Sequence, residues 1–254
     1  AGSRAVPPTG RLPCAEAANP PVQVWSRNAE HAERLASMLP GATATDRTEE
    51  LLCDADLYLL AVSDHALESV AATLPPTSGI WAHTAGSMPM DTLRPYHAQI
   101  GVFYPLQTFS RERRVDYSSI PIYIEGNDES VVRLLESVAR LISRNVLRCT
   151  SEQRLYLHLA AVFACNFTNH LYALSEQMLA AHGLPPRSLA PLIAETAAKV
   201  QEMSATEAQT GPAKRDDTNT LQKHLGLLNP YPDWQEIYRI LSDSIRKMYG
   251  PKEQ

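Results

Sequence analysis

The chain has 254 residues, with 28 acidic and 23 basic side chains and a formal net charge of -5. The charges are interspersed and form no basic stripe, which argues against a nucleic-acid partner. No apolar run approaches the roughly eighteen residues of a membrane span, and no signal-peptide pattern opens the chain, so we expect no membrane partner. Four scattered cysteines, Cys14, Cys53, Cys149 and Cys165, argue against zinc and disulfides and predict a cytoplasmic protein.

The first twenty-one residues differ from the rest of the chain. They contain five prolines and show no apolar periodicity. Proline removes a backbone donor and fixes φ, so this segment predicts neither a helix nor a strand.

Regular patterns begin at Val22. Short apolar runs predict strands at residues 22–25, 56–62, 79–83, 100–104, 120–125 and 145–148. Helices are predicted between them, at residues 29–38, 48–53, 64–74 and 129–142. Ser63 and Asp64 are placed to cap the third of these helices. Strands that alternate with helices predict an α/β fold, with a doubly wound parallel sheet.

From Ser151 onward the sequence predicts only helices. They cover residues 151–181, 186–203, 217–228 and 233–249. This change of pattern predicts a domain boundary near residue 150. It separates an α/β domain, 1–150, from an all-α domain, 151–254.

The segment 155–179 reads as one long amphipathic helix. Its apolar stripe is interrupted by Asn166 and His170, which are four residues apart and therefore share a face in an α-helix. A polar group on a buried face costs free energy unless it is hydrogen-bonded. Two explanations stay open: the face borders a polar cavity, or the polar groups form a satisfied network in the core.

Polar clusters follow three of the predicted strands directly. Ser26 and Arg27 follow the first, Val62 and Ser63 end the second, and Thr84 to Gly86 follow the third. Ligands of open α/β sheets bind beyond the carboxyl ends of the strands. Arg27 is placed to meet the 2′-phosphate of NADP, although a surface arginine is also common.

The segment Gln209 to Asp216 forms a second polar cluster, in the helical half. Gly211 and Pro212 end a helix and Asp216 or Asp217 can cap the next, so a plain helical corner explains much of it. That explanation leaves Thr210 and Arg215 without a role. We assign no role to His65, His97 and His158.

Several segments resemble a bacterial family of NADP-dependent oxidoreductases. The Rossmann-like half of that family is similar to VWSRNAEHAERLA, LLAVSDHAL, HTAGSMPMDTL and GVFYPLQTFS. Its C-terminal helical domain of unknown function is similar to CNFTNHLYALSEQML, PLIAETAAKV, AQTGPAKRDD and IYRILSDSIRKMY. The resemblance spans residues 22–249, and the layout is remotely similar to that of pyrroline-5-carboxylate reductase and of deazaflavin-dependent NADP reductases.

The resemblance implies a cytoplasmic homodimer whose helical domains pack together, with a cleft between the sheet domain and the helical domain. It also implies NADP as the cofactor and a small-molecule substrate that is unidentified. For such an enzyme we expect six residues to contact the cofactor: Ser26, Arg27, Val62, Ser63, Thr84 and Gly86.

The expected catalytic residues lie in the helical half. Asn166 and His170 would orient the substrate, with His170 as the acid because imidazole exchanges protons near neutral pH. Thr210 and Arg215 would hold a carboxylate or phosphate, which arginine binds with two parallel hydrogen bonds.

One departure from the family pattern opens an alternative. The family begins with a strand and a glycine-rich turn that leads into a helix holding the pyrophosphate. Here Ala1-Gly2-Ser3 is followed by Arg4, Ala5, Val6 and two prolines, so we expect this chain to bind a dinucleotide poorly. Either the segment reflects a shifted reading frame, or the protein has lost cofactor binding. In the second case the chain would be a non-catalytic binding or scaffold protein.

Overall fold

The computed structural model describes residues 23–110, 113 and 115–249. The predictions made for residues 1–21, including the missing glycine-rich turn, lie outside the described residues, and so does Val22 of the first predicted strand.

The described strands form two sheets. β1 (Gln23–Trp25) pairs in parallel with β2 (Thr43–Thr45). The second sheet has the order β3-β4-β5-β6-β7, with strands β3 (Leu57–Leu60), β4 (Ile80–His83), β5 (Ile100–Pro105), β6 (Ile122–Gly126) and β7 (Val146–Arg148). Helices α1 (Ala29–Ala36), α2 (Asp64–Ala71) and α3 (Glu129–Arg140) connect these strands. The predicted α/β class is confirmed.

One strand pair departs from the predicted parallel sheet. β5 and β6 run antiparallel, whereas the other neighbours in the five-stranded sheet are parallel. A parallel pair needs a crossover, usually a helix. Between β5 and β6 the described residues form only the short 3₁₀ turn Tyr117–Ser119, so the chain returns along β5 in the opposite direction.

The five-stranded sheet has a hydrophobic core on each face. Alternate residues of β4 divide between them: Trp81 packs with α2, and Ile80 and Ala82 pack with α3. This is the two-residue period of a strand buried on both faces. Trp81 is stacked between Tyr58 and His97, with ring centroids 4.3 and 4.2 Å apart.

Two strands differ from their predictions. β2 was not predicted, because three residues with two threonines carry no apolar run. The continuous apolar run at residues 56–62 is typical of a strand in the middle of a parallel sheet. Among the described residues, however, β3 ends the sheet, and Leu59 is 48% exposed. β1, in the other sheet, contacts the core of the five-stranded sheet through Trp25. The side chain of Trp25 packs on the hydrophobic cluster between α2 and that sheet.

From Ser151 onward the regular elements are helices, and no strand occurs there among the described residues. The helices are α4 (Ser151–Ala161), α5 (Thr168–Ala181), α6 (Ala190–Glu202), the short α7 (Ala205–Ala208), α8 (Thr218–Leu227) and α9 (Pro232–Tyr249). Within the described part of the chain, no helix is both long and apolar enough to cross a membrane.

The chain divides into two compact units, Ala1–Asn166 and Phe167–Gln254. The first unit therefore holds α4, although the sequence pattern changes near residue 150. The physical reason is a buried contact: Arg154 of α4 pairs with Glu125 of β6. The dinucleotide-binding and dimerisation roles assigned to the two parts remain predictions.

The long helix predicted over 151–181 is interrupted by a π-helical turn, Val162–Phe167. Hydrogen bonds in a π-helix run to the fifth residue along, so the turn holds about one residue more than an α-helical turn. Asn166 lies in this turn. The four-residue spacing used to align Asn166 with its neighbours assumed α-helical geometry, which does not hold there.

Gly101 provides a test of the packing between β5, β6 and α3. A Cβ at Gly101 would lie 2.7 Å from the backbone oxygen of Glu125 and 2.6 Å from Leu135 Cδ1. We expect Gly101→Ala to lower the free energy of unfolding by about 2 kcal/mol, because neither the paired strand nor the filled core can yield.

Gly226→Ala is the matched control for Gly101→Ala. Gly226 lies in α8, and a Cβ there meets no described atom within 4 Å. Alanine favours the helix over glycine, so this variant should gain up to about 0.5 kcal/mol. Urea unfolding of both variants measures the effect. If Gly101→Ala were as stable as the wild type, the close packing between β5, β6 and α3 would be contradicted.

Candidate functional site

The loops after β3 and β4 meet at the carboxyl edge of the sheet. Leu60 lies opposite His83 in the parallel register, and the Thr84 N–H donates to the Leu60 carbonyl oxygen at 3.2 Å. The structure thus brings together four predicted cofactor residues of the first unit, namely Val62, Ser63, Thr84 and Gly86. The first three are half-buried and Gly86 is buried.

Ser63 begins α2, as predicted, but its side chain does not cap the helix. Its Oγ lies 3.3 Å from Nε2 of His65 and makes no capping hydrogen bond. The next residue, Asp64, instead accepts a hydrogen bond from the Ser87 hydroxyl. This bond is a second link between the loops after β3 and β4.

Ser26 and Arg27 lie at the end of β1. The Ser26 N–H donates to the Thr45 carbonyl oxygen at 3.1 Å, and its hydroxyl accepts from the Asn28 N–H at 3.3 Å. Asn28 caps α1 by accepting from the His31 N–H. Arg27 is exposed. A hydroxyl, a guanidinium and a helix N-terminus therefore follow one another at the end of this strand.

His83 fixes the loop that contains Thr84 and Gly86. Its Nδ1 accepts from the Ala85 N–H at 3.2 Å, and its Nε2 lies 3.3 Å from the Pro89 carbonyl oxygen. The first contact requires an unprotonated Nδ1 and the second a protonated Nε2, so the pair of contacts assigns the neutral ring with its proton on Nε2.

The environment of His83 also favours the neutral ring. The side chain is 0% exposed, and this burial, aided by the charge of Arg154, lowers the pKa of His83 from 6.5 to about 4. The Pro89 carbonyl and Asp64 act in the opposite direction but do not outweigh the burial. His83 is therefore a structural support for the loop.

A buried ion pair holds α4 against the same loop. Arg154 is 0% exposed and pairs with Glu125 through Nη1, while its Nη2 donates to the Met88 carbonyl oxygen at 2.6 Å. Ser151, one turn earlier, donates from its N–H to Glu125 and accepts from the Met90 N–H through its hydroxyl. The start of α4 is thus bonded to β6 and, at Met88 and Met90, to the segment that follows β4.

The contact made by α4 brings His158 to the carboxyl edge of the sheet. Nδ1 of His158 lies 3.2 Å from the hydroxyl of Tyr104, a residue of β5 that is 6% exposed. A Cβ added to Gly86 would be 2.6 Å from His158 Nδ1 and 2.9 Å from Tyr104 Oη. Gly86 thus leaves the space in which these two side chains meet.

Sequence reasoning missed Arg154, Glu125, Tyr104 and His158. One signal was available, because the first turn of a helix favours acidic residues over basic ones. An arginine in the first turn of α4 is out of place there and indicates a buried partner. His158 follows it by four residues and so shares its face of the helix.

None of the predicted substrate residues takes part in the contacts described for Gly86, Tyr104 and His158. Asn166 is exposed and is the last residue of the first unit, whereas His170, Thr210 and Arg215 are exposed residues of the second unit. Their roles in catalysis remain predictions.

The corner at residues 209–216 is held by bonds within the second unit. Lys214 donates to the Gln209 carbonyl oxygen at 2.7 Å, and Arg246 pairs with Asp216 at 2.8 Å. Of the two possible caps, Asp217 caps α8. Asp216 has a φ of +54°, a left-handed conformation that aspartate tolerates better than most residues. These contacts support the structural explanation of the corner.

The second unit also has an open cavity of about 480 Å³, lined in part by Tyr172, Glu176 and Arg187. The predicted substrate residues are not among those that line it. Among the described residues, no group of three or more His, Cys, Asp or Glu is arranged to hold a metal ion.

The buried His83 predicts a pH dependence of stability. Its folded pKa of about 4 is below its unfolded value of 6.5, so the unfolded state binds more protons between these values. The stabilisation is complete above pH 6.5 and is lost as the pH falls toward 4, by up to about 3 kcal/mol. His97, whose pKa burial also lowers, adds to the same slope.

Urea unfolding at pH 7.5 and pH 5 measures this slope. His83→Asn should be less stable at pH 7.5 and should show a flatter dependence on pH. The exposed His182→Gln serves as the control and should keep the wild-type slope. An unchanged slope in His83→Asn would exclude His83 as its source.

Comparisons with known proteins agree with the architecture. Residues 120–245 match the family described as "Domain of unknown function (DUF2520)". No curated protein sequence matches this chain. Among solved structures, a putative NADP oxidoreductase from Bacteroides fragilis is 40% identical, with 93% of each chain covered and a TM-score of 0.83.

Two more distant structures share the fold. A 1-pyrroline-5-carboxylate reductase from Streptococcus pyogenes is 10% identical over 92% of each chain, with a TM-score of 0.59. An imine reductase from Myxococcus stipitatus in complex with NADP+ is 14% identical, with 92% of this chain and 86% of that chain covered and a TM-score of 0.58. The identity and coverage of the Bacteroides relative, with its fold and the matched C-terminal domain, show that the chain belongs to the family of Rossmann-like NADP oxidoreductases with a C-terminal domain of unknown function.

Proposed function

We propose that this protein is an NADP-dependent reductase or dehydrogenase whose cofactor lies along the carboxyl edge of the sheet in the first unit. The observation that carries the proposal is the bond from the Thr84 N–H to the Leu60 carbonyl oxygen. It places the loops after two parallel strands side by side, at the edge where open α/β sheets bind their ligands. The named function of the Bacteroides relative supports the same reaction class.

The residues at the strand ends fit a dinucleotide in two places. Ser26, Arg27 and the N-terminus of α1 offer donors and a positive charge to the 2′-phosphate. Val62, Ser63, Thr84 and Gly86 line the end of the sheet next to Tyr104 and His158, where the nicotinamide would lie. When bound, NADPH would supply a hydride for reduction of a small metabolite.

The substrate contacts complete the proposal. Asn166 and His170 are our candidates for orienting the substrate, and Thr210 and Arg215 for holding an anionic group. The described cysteines, Cys53, Cys149 and Cys165, are free thiols, which supports action in the reducing cytoplasm.

Titration with NADPH tests the proposal, with energy transfer from the tryptophans as the signal. Saturable binding is expected. Arg27→Ala should weaken NADPH binding about tenfold to a hundredfold and leave NADH binding unchanged, because only NADPH carries the phosphate. Arg34→Ala, an exposed arginine at the other end of α1, should bind both as the wild type does.

A flat titration would contradict the enzyme proposal and favour the non-catalytic alternative. That alternative depends on residues 1–21, which lie outside the described residues. Equal loss of NADPH and NADH binding in Arg27→Ala would contradict the phosphate contact.

We also propose that the protein is a homodimer through its helical unit. Large apolar side chains that are more than half exposed occur on several helices and turns of this unit, namely Leu184, Leu192, Leu227, Ile240 and Met248. These side chains are our candidates for the interface, because large apolar patches on a protein surface mark interaction sites. A second copy of the chain is the partner that the family resemblance implies.

Light scattering after gel filtration should give the mass of two chains. The double variant Leu227→Lys and Ile240→Lys should shift it toward one chain, because two charges would have to be buried without partners. Leu141→Lys, at a half-exposed leucine of the first unit, should leave the mass unchanged. A wild-type mass of one chain at micromolar concentration would contradict the dimer.

A further inference from the structure

Two histidines at the carboxyl edge, His83 and His158, differ in what their partners allow. His83 faces a backbone N–H and a backbone carbonyl, which together accept only one neutral form of the ring. His158 contacts the hydroxyl of Tyr104 through Nδ1. A hydroxyl both donates and accepts, so it can bond to Nδ1 whether that nitrogen carries a proton or not. The contact with Tyr104 therefore does not restrict His158 to one form of the ring.

The contacts of His158 with Gly86 and Tyr104 also define where its ring lies. Gly86 follows β4 and Tyr104 lies near the carboxyl end of β5, so the imidazole sits at the ligand-binding edge of the sheet. The ring lies so close to Gly86 that any side chain there would meet Nδ1 at 2.6 Å. Since Nδ1 contacts Tyr104, Nε2 is the nitrogen that can meet a ligand.

The helix that carries His158 is anchored one turn before this residue and changes its geometry after it. One turn earlier, the buried Arg154 bonds to Glu125 and to the Met88 carbonyl oxygen. Two turns later, the π-helical turn holds Asn166. From His158 to Val162 the α-helix rotates by slightly more than one full turn. From Val162 to Asn166 the wider π-helical turn rotates by slightly less than one full turn, so the two differences cancel. Asn166 therefore comes to the same face of the helix as His158.

We propose that His158 gives a proton to the substrate in the reduction, the acid role that the sequence had suggested for His170; this inference rests on the proposed function. Protonated His158 donates the Nε2 proton to the oxygen or nitrogen of a C=O or C=N group whose carbon receives the hydride from NADPH. The electron pair of the double bond moves to that heteroatom and forms the new bond to hydrogen. His158 is left neutral and regains a proton from water, and Tyr104 holds its ring in both states.

Carbethoxylation by diethylpyrocarbonate, followed by mass spectrometry of peptides, tests the position of His158 without the need for a substrate. Saturating NADPH should slow the modification of His158 at least tenfold, because the nicotinamide would cover Nε2. The exposed His182 of the second unit is the internal control and should react within twofold of its free rate.

His158→Gln then tests the proton transfer. Its NADPH affinity should stay within threefold of the wild type, while the rate of NADPH oxidation with cyclic imines and ketones as probes should fall at least a hundredfold. His182→Gln should keep both properties. Because glutamine can still bond to Tyr104, circular dichroism and urea unfolding should match the wild type.

The outcomes separate this inference from the proposed function. NADPH binding with no protection of His158 would overturn the inference and leave the proposed function in place. Oxidation of NADPH by His158→Gln at the wild-type rate would also overturn the inference and leave the proposed function in place. A flat NADPH titration would overturn both.

Discussion

The buried ion pair between Arg154 and Glu125 is the constraint on which the rest of the first unit depends. Removing a guanidinium and a carboxylate from water costs several kcal/mol each, and only close geometry with further hydrogen bonds recovers it. Met88 and Ser151 provide those bonds, although Nε of Arg154 has no partner among the described residues. We infer that the pair gives specificity more than stability, because α4, β6 and the loop after β4 satisfy it in only one arrangement.

This arrangement explains why chemistry can concentrate at one edge of the sheet. The loop from Thr84 to Pro89 is bonded to the end of β3, to Asp64, to the ring of His83 and to α4. A loop tied at so many points keeps its shape when a ligand binds, which lowers the entropic cost of binding. The same loop holds His83 as a neutral ring, and Gly86 in it leaves the space where His158 meets the hydroxyl of Tyr104.

The helical unit has a different physical character. Its polar corner is satisfied internally by Lys214, Arg246 and Asp217, and much of its apolar surface is exposed. The homodimer that we propose would cover part of this apolar surface, and burial of apolar surface is the main favourable contribution to association.

Apolar periodicity and strand-end residues are local properties, so the α/β class, most strand and helix positions, and the polar clusters at Ser63 and Thr84 could be predicted from the sequence. The antiparallel return of β6, the short β2 and the π-helical turn at Asn166 could not, since these depend on pairing and bond register. The contacts of Arg154 with Glu125 and of His158 with Tyr104 came only from the folded chain. These partners lie 29 and 54 residues apart in the chain, and no local pattern encodes a contact over such distances.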